Sequence, residues 1–362
     1  MTNPTENPVE STISDAPNPS SLIDRVREHP LVRWLEHWVP LGGFVGGFVF
    51  DSLTLGRRVE WYDLLLLSAY AVFASLAMIL ISRQVFPKIR GLLIFSCQFA
   101  IGAMFSALVV LYFKSAGGLM PTLFVIGLFA GMVANEFLHK HERLRSLVWA
   151  IYAISVVMWL NFLLPHLLKS VKPAWFYVST ILACVAVVGT HKLAKLPLKS
   201  LRASGAAIAA LVVMYMFGLV PPVPLVLEKG FVCTDFTKGS GEYACMADEQ
   251  GAVARFLGLT PTVTRKAGDP VYALSAVSAP TDADVVVEHR WYQHTEDGWQ
   301  PRDTMQFTMK GGRKEGWRFW SRKRNIAPGL WRVETALHGG GVVARQDMEI
   351  VEGEGPKQPK SL

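Results

Sequence analysis

The chain has 362 residues, of which 51% are hydrophobic and only 18% are charged, and its mean hydropathy is +0.29. Soluble domains average about 25% charged residues, so this composition argues against an ordinary soluble protein and favours one with membrane-embedded segments. The formal charge of +7 comes from residues 1–227, with 18 Lys and Arg against 11 Asp and Glu, because residues 228–362 carry 18 of each. This distribution does not support a general polyanion-binding role for the whole protein.

The first residues carry no signal peptide pattern. Residues 1–29 are rich in Pro, Asn, Ser and Thr and lack an apolar stretch, which predicts a disordered cytoplasmic tail. Residues 30–38 follow with Leu31, Trp34, Leu35 and Trp38 at helical spacing. This spacing and the tryptophans predict an interfacial helix, with an ordinary helix on a soluble surface as the alternative.

Long apolar stretches then predict a transmembrane domain over 39–227. A spanning helix needs about 20 mostly apolar residues. Seven stretches meet this requirement, with the glycine-rich first one the weakest: 39–56, 63–82, 91–113, 118–138, 146–168, 174–190 and 204–226. Small residues recur four apart, as in Gly127 and Gly131, which favours a packed all-α bundle.

Lys and Arg in the short loops predict the orientation of these spans. The loops expected on the side of the N-terminus carry 13 Lys and Arg, whereas those on the opposite side carry five. The positive-inside rule therefore places the N-terminus in the cytoplasm. Seven spans then place everything after Leu227 outside, which is the periplasm if the protein lies in the inner membrane of a Gram-negative bacterium.

Two of the four cysteines follow the last predicted span. Cys233 and Cys245 close the stretch CTDFTKGSGEYAC, in the compartment where oxidation is allowed. We therefore predict a disulfide between them. A metal or redox site is the weaker alternative, since CxxC and clustered histidines are absent from the sequence.

The remaining residues predict an exported all-β domain. Residues 228–269 are expected to form a disulfide-bearing connector with one short helix near 246–260. Residues 270–353 alternate with period two between turn signals, which indicates a small antiparallel, immunoglobulin-like β-sandwich. Residues 354–362 are predicted to be a disordered tail.

A resemblance to a known family supports this domain. The stretches EHRWYQHTEDG and GGRKEGWRFWSRKRNIAPGLWRVETALHGGGVVARQDMEIV resemble the bacterial domain of unknown function 2914. Its pattern is a His-x-Trp strand, a Gly-aromatic-Arg-x-Trp-Ser strand, a Pro-Gly-x-Trp-x-Val strand and a final Gly-containing hairpin. The resemblance covers about 80 residues and implies an architecture that often follows a multi-pass membrane region. It implies no activity and no catalytic residue.

The first candidate site is the basic and aromatic stretch from 288 to 345. Guanidinium groups beside aromatic rings can pair with anionic groups and stack on sugars, as on envelope glycans or lipid headgroups. Alternation places Trp317 and Phe319 on one face of their strand and Arg318, Trp320 and Arg322 on the other. Among the tryptophans of this stretch we expect Trp320 to be exposed, and Trp291 and Trp331 to fill the core. The predicted ligand-binding residues are Arg290, Trp299, Arg318, Trp320 and Arg322.

The second candidate site is a set of polar residues within the predicted spans. An ionisable group in a span is a functional hypothesis by default. The set comprises Asp51, Gln98, Glu136, Asn161 and His166. Asp51, paired with Arg57 or Arg58, would mark a transport path or a membrane enzyme's site. Asp51 and Glu136 lie near span ends, however, where water and loop cations can satisfy them.

Other motifs are weak. EFLHKHER at 136–143 places Glu136, His139 and His141 close in sequence, but positions i and i+2 do not share a helix face, so we interpret it as a basic cytoplasmic cap. No P-loop, GxGxxG, GxSxG or HExxH motif occurs in the sequence. We therefore predict no catalytic residue, metal or cofactor.

The sequence predicts an inner-membrane protein that presents a periplasmic sandwich. Its expected partners are the lipid bilayer and an envelope glycan, an anionic lipid or another membrane protein, and nucleic acid is not expected. The alternative function is a transporter or membrane enzyme with its site in the bundle near Asp51.

Overall fold

The computed structural model describes most of the chain from residue 49 onward: 49, 51, 53, 55–56, 59–116, 122–130, 145–239, 243–248, 260–311, 316–354 and 357–362. Helices occupy the first part of these residues and strands the second. The bounded α-helices are α1 (Trp61–Ser82), α2 (Arg90–Lys114), α3 (Arg145–Leu168), α4 (Ala174–Leu193) and α5 (Arg202–Met216). Residues 122–130 are also helical, and short 3-10 helices, Pro87–Ile89 and Leu198–Leu201, precede α2 and α5. The predicted tail 1–29 and interfacial helix 30–38 lie outside the described residues.

Five helical segments of the described chain are long and apolar enough to cross a membrane. They are Trp61–Ser82, Pro87–Lys114, Ser146–Leu168, Ala174–Leu193 and Leu198–Met216. Their outer surfaces expose large apolar side chains, such as Leu65 at 72% and Phe95 at 66%. Among the described residues after Phe217, only Leu330 and Val351 are exposed in this way. This contrast fits helices that face lipid and a β-domain that faces water.

The described helices test only some of the seven predicted spans. Most of the first predicted span (39–56) and much of the fourth (118–138) lie outside the described residues. The seventh was predicted to run to 226, but α5 ends at Met216. Gly218 adopts a φ of +67°, and the amides of Gly218 and Leu219 donate to the carbonyls of Tyr215 and Met214. This glycine cap stops the helix, and the following prolines lack the amide needed to continue it.

The β-domain contains two sheets. The strands of sheet 1 are β1 (Ser170–Val171), β4 (Thr262–Arg265), β6 (Asp284–Thr295), β7 (Gly298–Lys310), β9 (Gly329–Leu337) and β10 (Val342–Glu352). The strands of sheet 2 are β2 (Val226–Lys238), β3 (Tyr243–Asp248), β5 (Val271–Ser278), β8 (Trp317–Lys323) and β11 (Lys357–Ser361). Sheet 1 has the order β1-β6-β9-β10-β4, with β7 also paired to β6, and sheet 2 has the order β11-β3-β2-β5-β8.

The predicted connector and tail are parts of these sheets. Residues 226–238 and 243–248, within or just before the predicted connector, form β2 and β3, and β2 pairs with β5 at the centre of sheet 2. Residues 357–361, in the predicted disordered tail, form β11 and pair antiparallel with β3. Leu362 is only 5% exposed, so burial of this apolar end stabilises a segment that composition alone made look disordered. The helix predicted near 246–260 lies mostly outside the described residues.

Apolar side chains from both sheets meet between them. Trp291, Trp331 and Val333 of sheet 1 pack with Val271 and Ala273 of sheet 2 in one cluster. A second cluster nearer the helices combines residues of β5, β6 and β8, among them Val277, Val285 and Phe319, with Val171 and Leu225. The two sheets therefore form a sandwich. Trp291 is 0% and Trp331 2% exposed, which confirms their predicted place in the core.

The sandwich is joined to the helices by a shared strand. The loop between α3 and α4 forms β1, which pairs parallel with the start of β6. The Asp284 amide donates to the Lys169 carbonyl at 3.0 Å, and Val171 is only 3% exposed. A Cβ added to Gly340, in the β9–β10 turn, would lie 3.0 Å from Pro173 Cγ. The glycine run 339–341 thus lets the turn approach the helical part closely.

Candidate ligand-binding face

Strand pairing arranges three rows of side chains on the outer face of sheet 2. Residues directly paired across strands point to the same face, so β2, β5 and β8 place their partners side by side. The rows are Lys229–Ala276–Arg318, Phe231–Leu274–Trp320 and Cys233–Tyr272–Arg322. Consecutive rows are about 6.7 Å apart, twice the rise per residue of a strand. We call the side chains of these rows, with Phe236, Tyr243 and Lys360 beside them, the basic aromatic face.

Aromatic rings form the centre of this face. The ring of Phe236 lies 4.8 Å from Trp320, 5.2 Å from Tyr272 and 5.6 Å from Tyr243, measured between centroids. All four rings are half-buried. Trp320 was predicted to be exposed, and this packing covers part of it. The rings therefore present a fixed apolar surface whose edges remain accessible.

Cations surround the aromatic rings. Arg318 and Arg322 flank Trp320 on β8, and Lys229 shares the first row with Arg318. The Lys360 ammonium lies 5.9 Å from the centroid of the Phe231 ring. No acidic side chain occupies the three rows, although Asp235 lies nearby on β2 and is paired with Lys357 at 3.6 Å. The face therefore combines positive charge with flat apolar surface.

The predicted disulfide supports this face. Cys233 and Cys245 are bonded, with their Cα atoms 6.1 Å apart, and both are buried within the same cluster as Leu274. The bond joins β2 to β3, next to the rows. It also confirms the pairing expected from the sequence. Cys97 and Cys184 are free, and both lie in helices.

Arg290 and Trp299 lie on the opposite side of the sandwich. Arg290 is on the outer face of sheet 1, where its guanidinium contacts Glu288 at 2.5 Å. The guanidinium carbon of Arg332 lies over the Trp299 ring, 4.2 Å from the ring centroid. Arg332 is itself paired with Asp347 at 2.6 Å. The five predicted ligand-binding residues therefore belong to two faces, because β6 and β7 are in one sheet and β8 is in the other.

Charges on the sheet 1 face are satisfied by one another. Burial alone would raise the pKa of Glu288, but hydrogen bonds from His338 and Arg290 outweigh it and hold this pKa below its ordinary value. Glu334 pairs with Arg345 at 2.8 Å. Paired charges of this kind make a poor anion site, because a ligand would compete with an internal carboxylate for each guanidinium.

Residues of the motif that resembles domain of unknown function 2914 form hydrogen bonds inside the sandwich. The two ring nitrogens of His289 lie 2.8 Å from Ser321 Oγ and 2.9 Å from Ser275 Oγ, and Trp291 Nε1 donates to Ser321 Oγ at 2.9 Å. Ser275 Oγ lies 2.9 Å from Thr335 Oγ1, so the network links both sheets. Burial lowers the pKa of His289 to about 3, which keeps the ring neutral. At 0% exposure His289 is inaccessible to a substrate, so this serine–histidine contact is structural.

Polar residues in the helices are satisfied separately. Ser106 Oγ donates to Asp51 Oδ2 at 2.7 Å, and Asn161 Nδ2 donates to the Tyr112 hydroxyl at 3.3 Å. The ring nitrogens of His166 lie 2.7 Å from the Phe162 carbonyl and 3.2 Å from the Val59 carbonyl. Glu136 and the EFLHKHER segment lie outside the described residues, as do Arg57 and Arg58. Within the described part of the chain, these residues do not gather into one site.

Side chains with metal-ligating chemistry are also dispersed. The described residues contain no group of three or more His, Cys, Asp or Glu that could hold a metal ion.

The sequence did not predict the aromatic part of the basic aromatic face. Phe231, Phe236 and Tyr243 fall in the segment interpreted as a connector, although the alternation in GFVCTDF is a strand signal.

A family model matches part of the C-terminal β-domain. Residues 284–350 match the family described as a protein of unknown function, DUF2914. This match covers β6 to β10 apart from the ends, and the motif residues His289, Trp291, Ser321 and Trp331 fall within it. No curated protein matches the chain.

Two solved structures show weak similarity to this chain. One is an immunoglobulin-like protein from Pseudomonas aeruginosa, 14% identical, covering 33% of this chain and 97% of that chain with a TM-score of 0.19. The other is an alkylpurine DNA glycosylase from Pseudomonas fluorescens bound to DNA containing an abasic site analog, 11% identical, covering 80% and 97% with a TM-score of 0.22. At these TM-scores neither similarity bears on fold or function.

Proposed function

We propose that this protein is a multi-pass inner-membrane protein whose immunoglobulin-like sandwich binds an anionic envelope component in the periplasm through the basic aromatic face. The shared chemistry of the ligand is a phosphate or carboxylate group next to a flat apolar or sugar surface. An acidic polysaccharide and an anionic lipid headgroup both have this chemistry. The observation that carries the proposal is the set of three rows, which hold Lys229, Arg318 and Arg322 around Trp320 with no carboxylate among them.

The arrangement suits an anionic polymer for two reasons. Guanidinium groups form charge-assisted, often bidentate hydrogen bonds with phosphate and carboxylate. Half-buried aromatic rings are already ordered, so a ligand stacking on them does not have to immobilise them. On the opposite face, Arg290, Arg332 and Arg345 are each paired with a carboxylate, with which an anionic ligand would have to compete.

The transmembrane part would serve as the anchor. The strand β1 and the close approach of Gly340 to Pro173 hold the sandwich against the helices. A domain with a basic aromatic face held at the bilayer would meet envelope polymers and lipid headgroups at high local concentration. The alternative of a transporter or membrane enzyme near Asp51 has less support, because the hydrogen bond from Ser106 already satisfies Asp51 within the helices.

Binding can be tested with the full chain in nanodiscs of neutral lipid. The first ligand is a fluorescent acidic polysaccharide and the second is vesicles with or without an anionic phospholipid. The double variant Arg318→Ala/Arg322→Ala should bind the preferred ligand about tenfold more weakly, which corresponds to about 0.7 kcal/mol for each charge-assisted contact. The wild-type affinity should fall as salt is added.

A charge-matched control separates the face from net charge. Arg302→Ala/Lys310→Ala removes two exposed cations from β7 in the other sheet and should leave binding nearly unchanged. Equal losses in both double variants would refute a specific face. Binding of neither ligand by the wild-type protein would instead favour a partner membrane protein.

A further inference from the structure

Sheet 1 ends on one side in β7, which is an edge strand. β7 spans 13 residues, Gly298–Lys310, and among the described strands it pairs with β6 alone. Every second residue of an edge strand directs its main-chain amide and carbonyl away from the sheet, so the free edge of β7 can pair with a further strand. Sheet edges of this kind bind extended peptides in several classes of protein.

The two halves of this edge differ in sequence. The first half carries Pro301, Arg302 and Asp303, and its register with β6 shifts there. Proline, charge and a bulge all keep an edge strand from pairing. The second half, Thr304–Met309, reads TMQFTM and has no proline, glycine or charged residue. By contrast, β8 carries three cations, β11 has a proline and two lysines, and β4 is only four residues long. The second half of β7 is therefore the edge left open to a partner strand.

Apolar side chains on the core side of β7 are only partly covered. Met309 is 2% exposed, and the centroid of the Phe307 ring lies 4.9 Å from that of Phe319. Met305 and Phe307 remain half-buried, because no further strand of the described chain covers their outer flank. A strand paired to β7 would place every second side chain against them and remove this apolar surface from water. The positions of a partner strand that face the core should therefore be apolar.

The water-facing side of β7 is polar and basic. Its middle carries three exposed polar side chains, Thr304, Gln306 and Thr308. The exposed cations Arg302 and Lys310 flank this row. The only carboxylate of β7, Asp303, already pairs with Lys323. Since opposite charges attract across neighbouring strands and like charges repel, the outward positions of a partner strand should be acidic.

A second copy of the chain fits this edge poorly. β6 starts beside β1, in the loop between α3 and α4, and β7 is antiparallel to β6, so β7 runs back toward the helices. Two copies anchored in one membrane are related by a rotation about the membrane normal, so their β7 strands would run in the same direction. That rotation also exchanges the core side with the water side, which would set Phe307 of one copy beside the polar row of the other. A strand from a different protein meets no such mismatch.

We propose that the free edge of β7 binds an extended segment of another envelope protein, in which apolar residues alternate with acidic ones. The segment pairs its main chain with Thr304–Met309 and so adds one strand to sheet 1. Its apolar side chains pack on Met305 and Phe307, and its carboxylates face Arg302 and Lys310. The site shares no residue with the basic aromatic face, and it shares with the proposed function only the placement of the sandwich outside the membrane.

Binding of a designed peptide to the full chain in nanodiscs of neutral lipid tests this edge. The probe is a fluorescent peptide of about six residues, a usual strand length, in which valine alternates with glutamate. The wild type should bind it, and Met305→Lys, which puts a charge on the core side of the edge, should bind it about tenfold more weakly. Met305→Leu keeps the apolar contact and should bind it as the wild type does. The same peptide with a central proline should not bind, because it cannot pair along its length.

A second variant leaves the core untouched and so guards against a folding defect. Arg302→Ala/Lys310→Ala should bind the valine–glutamate peptide about fivefold more weakly, and a valine–lysine peptide should bind the wild type poorly. Arg318→Ala/Arg322→Ala, on the basic aromatic face, should bind the valine–glutamate peptide normally even though it loses the anionic ligand of the proposed function. A loss as large in this variant as in the first would show that net charge, and not the edge of β7, binds the peptide. The two double variants thus keep a failure here distinct from a failure of the proposed function.

Hydrogen–deuterium exchange locates the bound peptide on the molecule. The peptide should slow the exchange of amides within Thr304–Met309, because their outward N–H groups become hydrogen-bonded. Protection of β8 instead, or none in β7, would contradict pairing at this edge. Thr304→Cys tests the other occupant. Disulfide-linked dimers of this variant that form rapidly in the membrane would indicate a second copy and overturn the choice of partner, whereas a monomer is expected.

Discussion

Individual side chains in β8 follow the alternation expected from the sequence. Trp317 and Phe319 pack in the core between the sheets, while Trp320 packs in the outer cluster of sheet 2. Period two along a strand is a local property, so it can be deduced without knowing the fold. The ion pair between Arg290 and Glu288 could not be predicted in the same way. Alternation places both residues on one face of β6. The hydrogen bond between Glu288 and His338, 50 positions apart in the sequence, depends on the turn after β9.

The hydrogen-bond partners of His289 could not be predicted from the sequence either. A histidine with no evident partner in the sequence turns out to lie between two serines from different strands. Because its folded-state pKa is about 3 and its ordinary value is 6.5, the unfolded chain binds a proton that the folded chain does not. The stability that depends on a neutral His289 is therefore fully present above pH 6.5 and is lost as the pH falls toward 3.

The pH dependence of unfolding measures this contribution. Between pH 7.5 and pH 5, His289 should account for about 2 kcal/mol of lost stability. In His289→Gln, which cannot titrate, the fall in the thermal midpoint over the same range should be smaller, although the variant is less stable at pH 7.5. The measurement is the unfolding of the full chain in detergent, followed by near-ultraviolet circular dichroism. An unchanged pH slope in the variant would contradict the neutral buried ring.

Elements of the fold were predictable where their signal was local. Long apolar stretches located the helices, and alternation located β5 to β10. The strands β2, β3, β4 and β11 were missed. β11 contains Pro359 and two lysines, and β2 is interrupted by Gly230 and by bulges. Their stability comes from neighbouring strands, which composition does not reveal. The same reason hid β1, a two-residue strand that exists only because β6 is beside it.

Gly340 tests the junction that β1 creates. A valine at this position would press against Pro173 and Leu337, since a Cβ alone would lie 3.0 Å and 3.1 Å from their side chains. We expect Gly340→Val to loosen the junction by about 1–3 kcal/mol, the usual cost of overpacking. Trypsin cleavage after Lys169, whose carbonyl is held by the Asp284 amide, should become several-fold faster. Gly341→Ala is the control, because its Cβ would make an ordinary contact at 3.6 Å with Pro222. Similar cleavage rates in both variants would argue against a tight junction.

At the scale of the whole molecule, composition and structure agree on a division between apolar helices and a water-facing β-domain. The number of spans rests on the apolar stretches of the sequence and their orientation on loop charges, because most of the first predicted span and the flanks of residues 122–130 lie outside the described residues. The position of the ligand face depends on long-range strand pairing, and so it emerged only from the fold. The central proposal therefore names both a compartment and a surface. The basic aromatic face is proposed to bind an anionic component outside the membrane.

Photo-cross-linking in living Gram-negative cells that express the full chain tests both parts of this claim at once. A photoreactive phenylalanine derivative replaces Trp320, on the basic aromatic face, or Trp299, on the opposite face. We predict an adduct with an acidic polysaccharide or an anionic lipid of the envelope from position 320, and little or none from position 299. Adducts with cytoplasmic components, or equal envelope adducts from the two positions, would contradict the account.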